Sequence, residues 1–191
     1  MNSSKNSLLY TKRDLALKNV AAQLNYTNSI RFPYSALMRY VSTKNWTGAC
    51  HATASLLYIM LQESGYNAHL ILGQGKIRHQ YFDHSWVTVD GRIFDIAIAF
   101  PLNGASYSGP VFAGVDLDSG DPPLVDYGAP IVPFDSMSEV LKTTSVSDYL
   151  SNNPTLDMWE ILNNLCSRAR IPFHKDVLYG KYQTKHWEIA Q

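Results

Sequence analysis

A cysteine, a histidine and an aspartate, Cys50, His84 and Asp95, follow one another at positions where a helix start and a β-hairpin would bring them together. Together these side chains perform nucleophilic acyl chemistry. The thiolate attacks a carbonyl, the imidazole takes the thiol proton and later returns one to a leaving group, and the carboxylate fixes the tautomer and stabilises the imidazolium. Singly, each has an ordinary structural reading: a core thiol, a satisfied strand histidine, an edge carboxylate. What joins them is the pattern of the elements that carry them.

The stretch WTGACHATASLLYIMLQESG reads as a helix that opens at the cysteine. Thr47 is the expected N-cap, Cys50 lies in the first turn, and Gly65 sits where a left-handed residue would end the run. Cys50 to Leu61 is apolar nearly all round, the mark of a helix buried in a domain centre. A thiol in the first turn faces unpaired backbone N–H groups and the positive end of the macrodipole, which favour thiolate. One of those N–H groups is placed to bind an oxyanion, with Gln23, Asn45 and Trp46 as candidates for a second donor.

In YFDHSWVTVDGRIFDIA, Val87 to Val89 and Arg92 to Ile96 flank Asp90-Gly91, a strong signal for a two-residue type I′ turn. With that loop, Val89 pairs with Arg92, Val87 with Phe94 and Trp86 with Asp95. His84, Trp86, Thr88, Ile93, Asp95 and Ala97 then share one face, and Ser85, Val87, Val89, Arg92, Phe94 and Ile96 the other. His84 and Asp95 become diagonal neighbours, with backbones roughly 7 to 8 Å apart and side chains able to meet. A one-residue slip would send them to opposite faces.

Elsewhere, Thr11 to Leu24 reads as a helix with Thr11 and Asp14 as a capping pair and Leu17, Val20, Ala21 and Leu24 as its stripe. Pro33 is placed to open a short helix through Leu37, Met38 and Val41. Ala68 to Leu72 has strand length and should lie beside the hairpin in an antiparallel sheet, with Gly73-Gln74-Gly75 as a loop. Residues 101–135 are rich in Gly, Pro, Asp and Ser and too long for an ordinary connector, so they read as a functional loop or lid, well placed to shape substrate access, or as a stretch holding short irregular strands. Ser138 to Leu150 and Leu156 to Ala169 are the C-terminal helices; in the second, Cys166 falls on the stripe and reads as a core thiol.

The chain has 191 residues, 46% hydrophobic, a length for one domain spanning residues 1–191 around a core of about 46–97. Lys plus Arg and Asp plus Glu each total 16, so no net field suggests nucleic acid or an anionic membrane as partner. Two cysteines, one wanted as a free thiol, and the lack of an apolar leader or spanning segment point to a cytoplasmic protein. No cofactor is implied. Asp116, Asp118 and Asp121 around Gly120 lack the spacing and terminal Glu of a calcium loop, and His79, Asp83 and His84 lack a ligand to complete a zinc site, so no metal is expected. His51 is expected to point away from its neighbour Cys50. His69, His174 and His186 suggest no partner.

Gly48-Ala49-Cys50 opening an apolar helix that ends at Gly65, an apolar strand to Gly73, then His84-Ser85-Trp86-Val87 and Phe94-Asp95 resemble the transglutaminase-like superfamily of papain-type cysteine enzymes. The resemblance covers about Trp46 to Ala97. It implies an α+β, papain-like fold in which a central buried helix carrying Cys50 packs on an antiparallel sheet carrying His84 and Asp95, flanked by N- and C-terminal helices. It further implies Cys50 as nucleophile, His84 as general base and acid, and Asp95 as orienting carboxylate. His-Ser-Trp-Val-x-Val-Asp-Gly is most similar to small bacterial members, including peptidases that trim leaders from ribosomally made peptides such as lasso peptides. Arylamine N-acetyltransferases share the residue order but have a richer cysteine signature, and animal transglutaminases add calcium sites and β-domains for which this chain has no room. The expected substrate is a peptide or protein amide, hydrolysed as by a peptidase, amidase or deamidase. Acyl transfer to an amine is the alternative, and a catalytically inactive binding module on the same fold is the alternative of another class.

Overall fold

Every residue from Ala52 to Leu61 is buried, so the helix α3 (Cys50–Glu63) has no solvent face over that span and must be covered all round. In the computed structural model, which describes residues 2–102, 104 and 108–191, with side chains from residue 8 onward, that cover comes from helices and a sheet. The helix α2 (Asn28–Lys44) packs on one side of α3, and the strands β1 (Ala68–Ile77) and β2 (Gln80–Val89) on another. The helix α1 (Asn2–Gln23) lies against α2 through Leu17, Val20 and Ala21.

Both N-terminal helices start earlier than expected. Thr11 lies inside α1 rather than at its cap, and Asp14 accepts from Ser35 Oγ at 2.7 Å and pairs with Lys18 instead of closing a capping box. Pro33 falls inside α2, whose N-cap is Thr27. The buried stripe of α2, Ile30, Tyr34, Leu37, Met38 and Val41, extends the helix through the proline because its whole face is claimed by the core.

The sheet has the order β3-β2-β1-β6, with β3 at Arg92–Phe94 and β6 at Asp126–Gly128, all antiparallel. A two-residue strand β7 (Glu188–Ile189) runs parallel to β1 at Ile71 and Leu72. The β2–β3 register is the one expected, Val89 with Arg92, Thr88 with Ile93 and Val87 with Phe94, closed by Asp90 and Gly91 both at positive φ as a type I′ turn requires. Val87, Val89, Phe94 and Ile96 face the main core, and Ile93 packs in a second, smaller cluster on the other side with Ile98, Val111 and Val125.

Two strand expectations need correction. Gly73-Gln74-Gly75 is part of β1, not a loop. A Cβ on Gly73 would stand 2.5 Å from Gly128 O and 2.7 Å from the Trp86 ring, and one on Gly75 would stand 2.4 Å from the Phe82 ring. The glycines serve close cross-strand approach rather than a turn. The strand expected to Ile96 ends at Phe94, because Asp95 forms an isolated bridge with Val111 in place of the Trp86 pairing.

Val111–Phe112 (β4) and Val115–Asp116 (β5) form a second, two-stranded sheet inside the loop-rich region. The single helix expected over 138–150 is two, α4 (Ser136–Leu141) and α5 (Val146–Ser151), each with its own cap: Asp135 accepts from Ser138 N and Ser145 from Asp148 N. The helix α6 (Met158–Ala169) buries Trp159, Leu162, Leu165, Cys166 and Ala169, while Leu156 lies before its start. A seventh helix, α7 (Lys175–Tyr182), and β7 had no counterpart in the expectation. The whole is a mixed α+β fold.

Candidate active site

The approach to Cys50 is set by backbone. Gly48 adopts φ +64° and donates its N–H to Phe100 O at 2.9 Å, after which the helix begins directly at Cys50. The N-cap is Ala49, not Thr47, and it makes no side-chain cap bond. The first intrahelical bond of this end runs from Thr53 N to Ala49 O at 2.8 Å, so the N–H groups of Cys50, His51 and Ala52 have no acceptor within the helix.

His84 and Asp95 are both buried and meet as the hairpin parity predicts, with His84 Nε2 2.6 Å from Asp95 Oδ2. That contact leaves Nδ1 free of the carboxylate, and Cys50 lies close enough to the imidazole for each to shift the other's proton affinity. Asp95 has further donors: Tyr127 OH gives to the same Oδ2 at 2.8 Å, and Ile98 N reaches Oδ1 at 3.3 Å. Its backbone is held too, by two bonds with Val111 at 2.8 and 2.6 Å, and Tyr34 OH donates to Val111 O at 2.8 Å. The carboxylate is therefore fixed at both backbone and side chain.

The electrostatics follow from these contacts. Burial alone would push the Cys50 thiol up, but hydrogen bonds and positive charge from His51 and His84 overcome it and bring the thiol to about 5. Burial alone would likewise strip His84 of its proton, yet the Asp95 charge and hydrogen bond, helped by Cys50, raise the imidazole to about 10. Between those limits the favoured state is thiolate facing imidazolium. Trp86 stacks on His84, ring centroids 6.3 Å apart and 19° between planes, and is buried packing rather than a wall of the cleft.

His51 departs from expectation. Its Nδ1 lies 2.8 Å from Ser85 Oγ, and its ring reaches the thiol rather than pointing away along the helix. Residues 50 and 51 thus meet residues 84 and 85 as two adjacent cross-links between helix start and strand. No sequence signal marked the Ser85 partner or Tyr127. The three proposed oxyanion side chains do not line the cleft: Gln23 and Asn45 are exposed, and Trp46 packs on Tyr40.

A cavity of about 1230 Å³ opens over Cys50, His51 and His84. One wall is Phe100, Pro101 and Leu102, the other Val132 to Asp135 with Met137. Pro101, Leu102 and Val132 to Asp135 belong to the loop-rich region, Phe100 and Met137 to its flanks, and Asn103 and residues 105–107 lie outside the described residues.

The acidic loop has a different use. Asp116 Oδ2 accepts from Ser108 Oγ and Gly109 N at 2.6 and 2.8 Å, its Oδ1 from Asp118 N at 2.8 Å, and Asp118 takes Arg13 in a two-pronged bond at 2.8 and 2.6 Å. These donors occupy the oxygens a cation would need. Asp83 is engaged by Gln74 and the backbone of Asp135, and His69 pairs with Glu188. Among the described residues no group of three His, Cys, Asp or Glu side chains is arranged to hold a metal. No helix among them is long and apolar enough to cross a membrane.

Residues 10–103 match the family model described as transglutaminase-like superfamily. The match spans just under half of the chain and likens that stretch to the transglutaminase-like superfamily. No curated protein and no solved structure matches the chain. The transglutaminase-like stretch is wider than the sequence resemblance, taking in α1 and α2, and it ends just before the second sheet and the C-terminal helices, which are outside it. The likeness suggests cysteine-based acyl transfer or hydrolysis in general terms.

Proposed function

We propose that the protein is a thiol-dependent acyl-transfer enzyme acting on amide carbonyls, with Cys50 as nucleophile, His84 as general base and acid and Asp95 as orienting carboxylate. The observation that carries this reading is the buried imidazole held between Asp95, at 2.6 Å, and the Cys50 thiol at the floor of an open cleft. The Cys50 thiolate adds to the carbonyl carbon, forming a C–S bond, and the developing oxyanion takes the free N–H groups at the start of α3. The C–N bond then breaks and the departing amine takes the His84 proton. Water, deprotonated by His84, attacks the thioester; the C–S bond breaks and the acid leaves.

Hydrolysis is favoured over transfer to an amine because the cleft stands open: Leu102 and Val132 on its opposing walls are 82% and 45% exposed, so water reaches the thioester. The test is incubation with a mixed library of capped peptide amides, reading new acids and amines by mass spectrometry. Turnover by wild type and none by Cys50→Ala or His84→Ala is expected. Equal product from wild type and Cys50→Ala would end the proposal.

A further inference from the structure

Exposed apolar side chains are ordinary by themselves. Those flanking Cys50 differ in that the backbone behind them is fixed by buried polar atoms. Gln74 is 2% exposed, and its Oε1 accepts from Ile131 N and Val132 N at 2.8 and 3.2 Å. Its Nε2 donates to Val132 O at 3.0 Å and to Asp83 Oδ1 at 2.8 Å, while Asp83 Oδ2 accepts from Asp135 N at 2.6 Å. Four backbone groups of the strap 131–135 are thus held by buried polar side chains, which fixes how Val132 is presented to the cleft. Opposite, Phe100 O holds Gly48 N, and Leu102 sits so close over Gly48 that an added Cβ would stand 3.0 Å from its Cδ1. Both apolar walls are therefore pinned, one to the strand pair that carries His84 and the other to the turn that leads into Cys50.

At the floor of the slot the imidazoles of His84 and His51 are matched by the Cys50 thiolate; among the described residues lining the rest of it there is no lysine or arginine, and the carboxylates are Asp83 and Asp135. A carboxylate or phosphate carried on a ligand side chain between the walls, away from the imidazoles at the floor, would be desolvated with no cation in those walls and would face those two groups. An apolar side chain entering between preformed walls loses water contact with little ordering cost.

We infer that the acyl donor is a neutral peptide segment that seats a bulky apolar side chain, aromatic or branched aliphatic, between Leu102 and Val132, next to the carbonyl offered to Cys50. This rests on the acyl-transfer reading of the site. An anionic side chain in that position is disfavoured by the same walls.

The test uses three peptidyl acyloxymethyl ketones that differ only in carrying Phe, Gly or Glu beside the warhead. The thiolate attacks the methylene carbon, a C–S bond forms, and the carboxylate leaves with the C–O electron pair. Cys50 labelling rates are read by intact mass and peptide mapping, alongside iodoacetamide, which is too small to need either wall. The Phe probe should label at least about tenfold faster than the Gly probe, with the Glu probe slowest. Leu102→Ser and Val132→Ser, both at exposed positions, should remove most of the Phe advantage, and Val132→Lys should narrow the gap between Glu and Phe. A Cys50 that takes iodoacetamide readily at pH 6 but all three probes at one rate would overturn the inference alone. A Cys50 inert to iodoacetamide at that pH would sink the acyl-transfer reading, and the inference with it.

Discussion

The two cysteines of this chain are the same side chain in opposite circumstances. Cys50 opens a helix at the floor of a cleft, with two imidazoles against it, and its thiol is drawn down to about 5. Cys166 sits in the last turn of α6 at 0% exposure, where burial and then the nearby Glu63 charge push its thiol up to about 12. Burial raises both; the difference is made by what else is buried beside the sulfur. Desolvation without a cationic partner holds a thiol protonated, and the same desolvation with His84 and His51 beside the sulfur favours the thiolate.

Alkylation in native buffer should separate the two cysteines most widely. At pH 7, iodoacetamide should modify Cys50 more than about a thousandfold faster than Cys166, and full unfolding in urea should bring the rates together. Cys50 reactivity should rise with pH through about 5, because the lowered thiol is already deprotonated above that value. Comparable native rates would break the contrast.

The next largest effect belongs to the imidazole. His84→Ala should move the Cys50 alkylation midpoint up towards the ordinary thiol value of about 8.5 and cost roughly 10³- to 10⁴-fold in amide turnover. A midpoint left near 5 would mean that His51 and the helix start suffice without His84.

Asp95→Asn should lower turnover by roughly 10²- to 10⁴-fold. It should also shift the alkaline limb of the pH profile down from about 10, since the imidazolium loses its counter-charge. Tyr127→Phe should do the opposite on that limb and cost only a fewfold in rate. With one donor gone from Asp95 Oδ2, more negative charge remains for the imidazolium, and the limb moves up. An unmoved limb would reduce Tyr127 to packing.

Smallest for the chemistry is Cys166→Ala. It should leave the Cys50 pH profile where it is while lowering stability by about 1 to 2 kcal/mol in denaturant titration, from lost contacts in a filled core. A change in Cys50 reactivity would show that the two thiols are coupled.

The features read correctly from sequence depend on neighbours in the chain. Asp90-Gly91 dictates a type I′ turn, the turn dictates the register, and the register puts His84 and Asp95 on one face. The apolar run after Cys50 likewise announces a buried helix. The features misread depend on distant partners. Gly73 and Gly75 look like a turn because glycine usually punctuates; their strand role is set by Trp86, Phe82 and Gly128. Asp95 leaves its strand early because Val111 claims its backbone. Gln74 is an unremarkable amide until the strap 131–135 returns to it. His51 looked idle because nothing local marks Ser85, 34 positions on, as its partner. Within 138–150, Ser145 offered a fresh cap that an apolar count does not weigh.

The bridge between Asp95 and Val111 also makes reactivity a property of the finished chain. Without the 111–116 hairpin the Asp95 backbone would lose both of its bonds to Val111, and His84 the fixed bearing it takes from that carboxylate. The aim of one imidazole is thus set from a stretch of chain that its own neighbours do not announce.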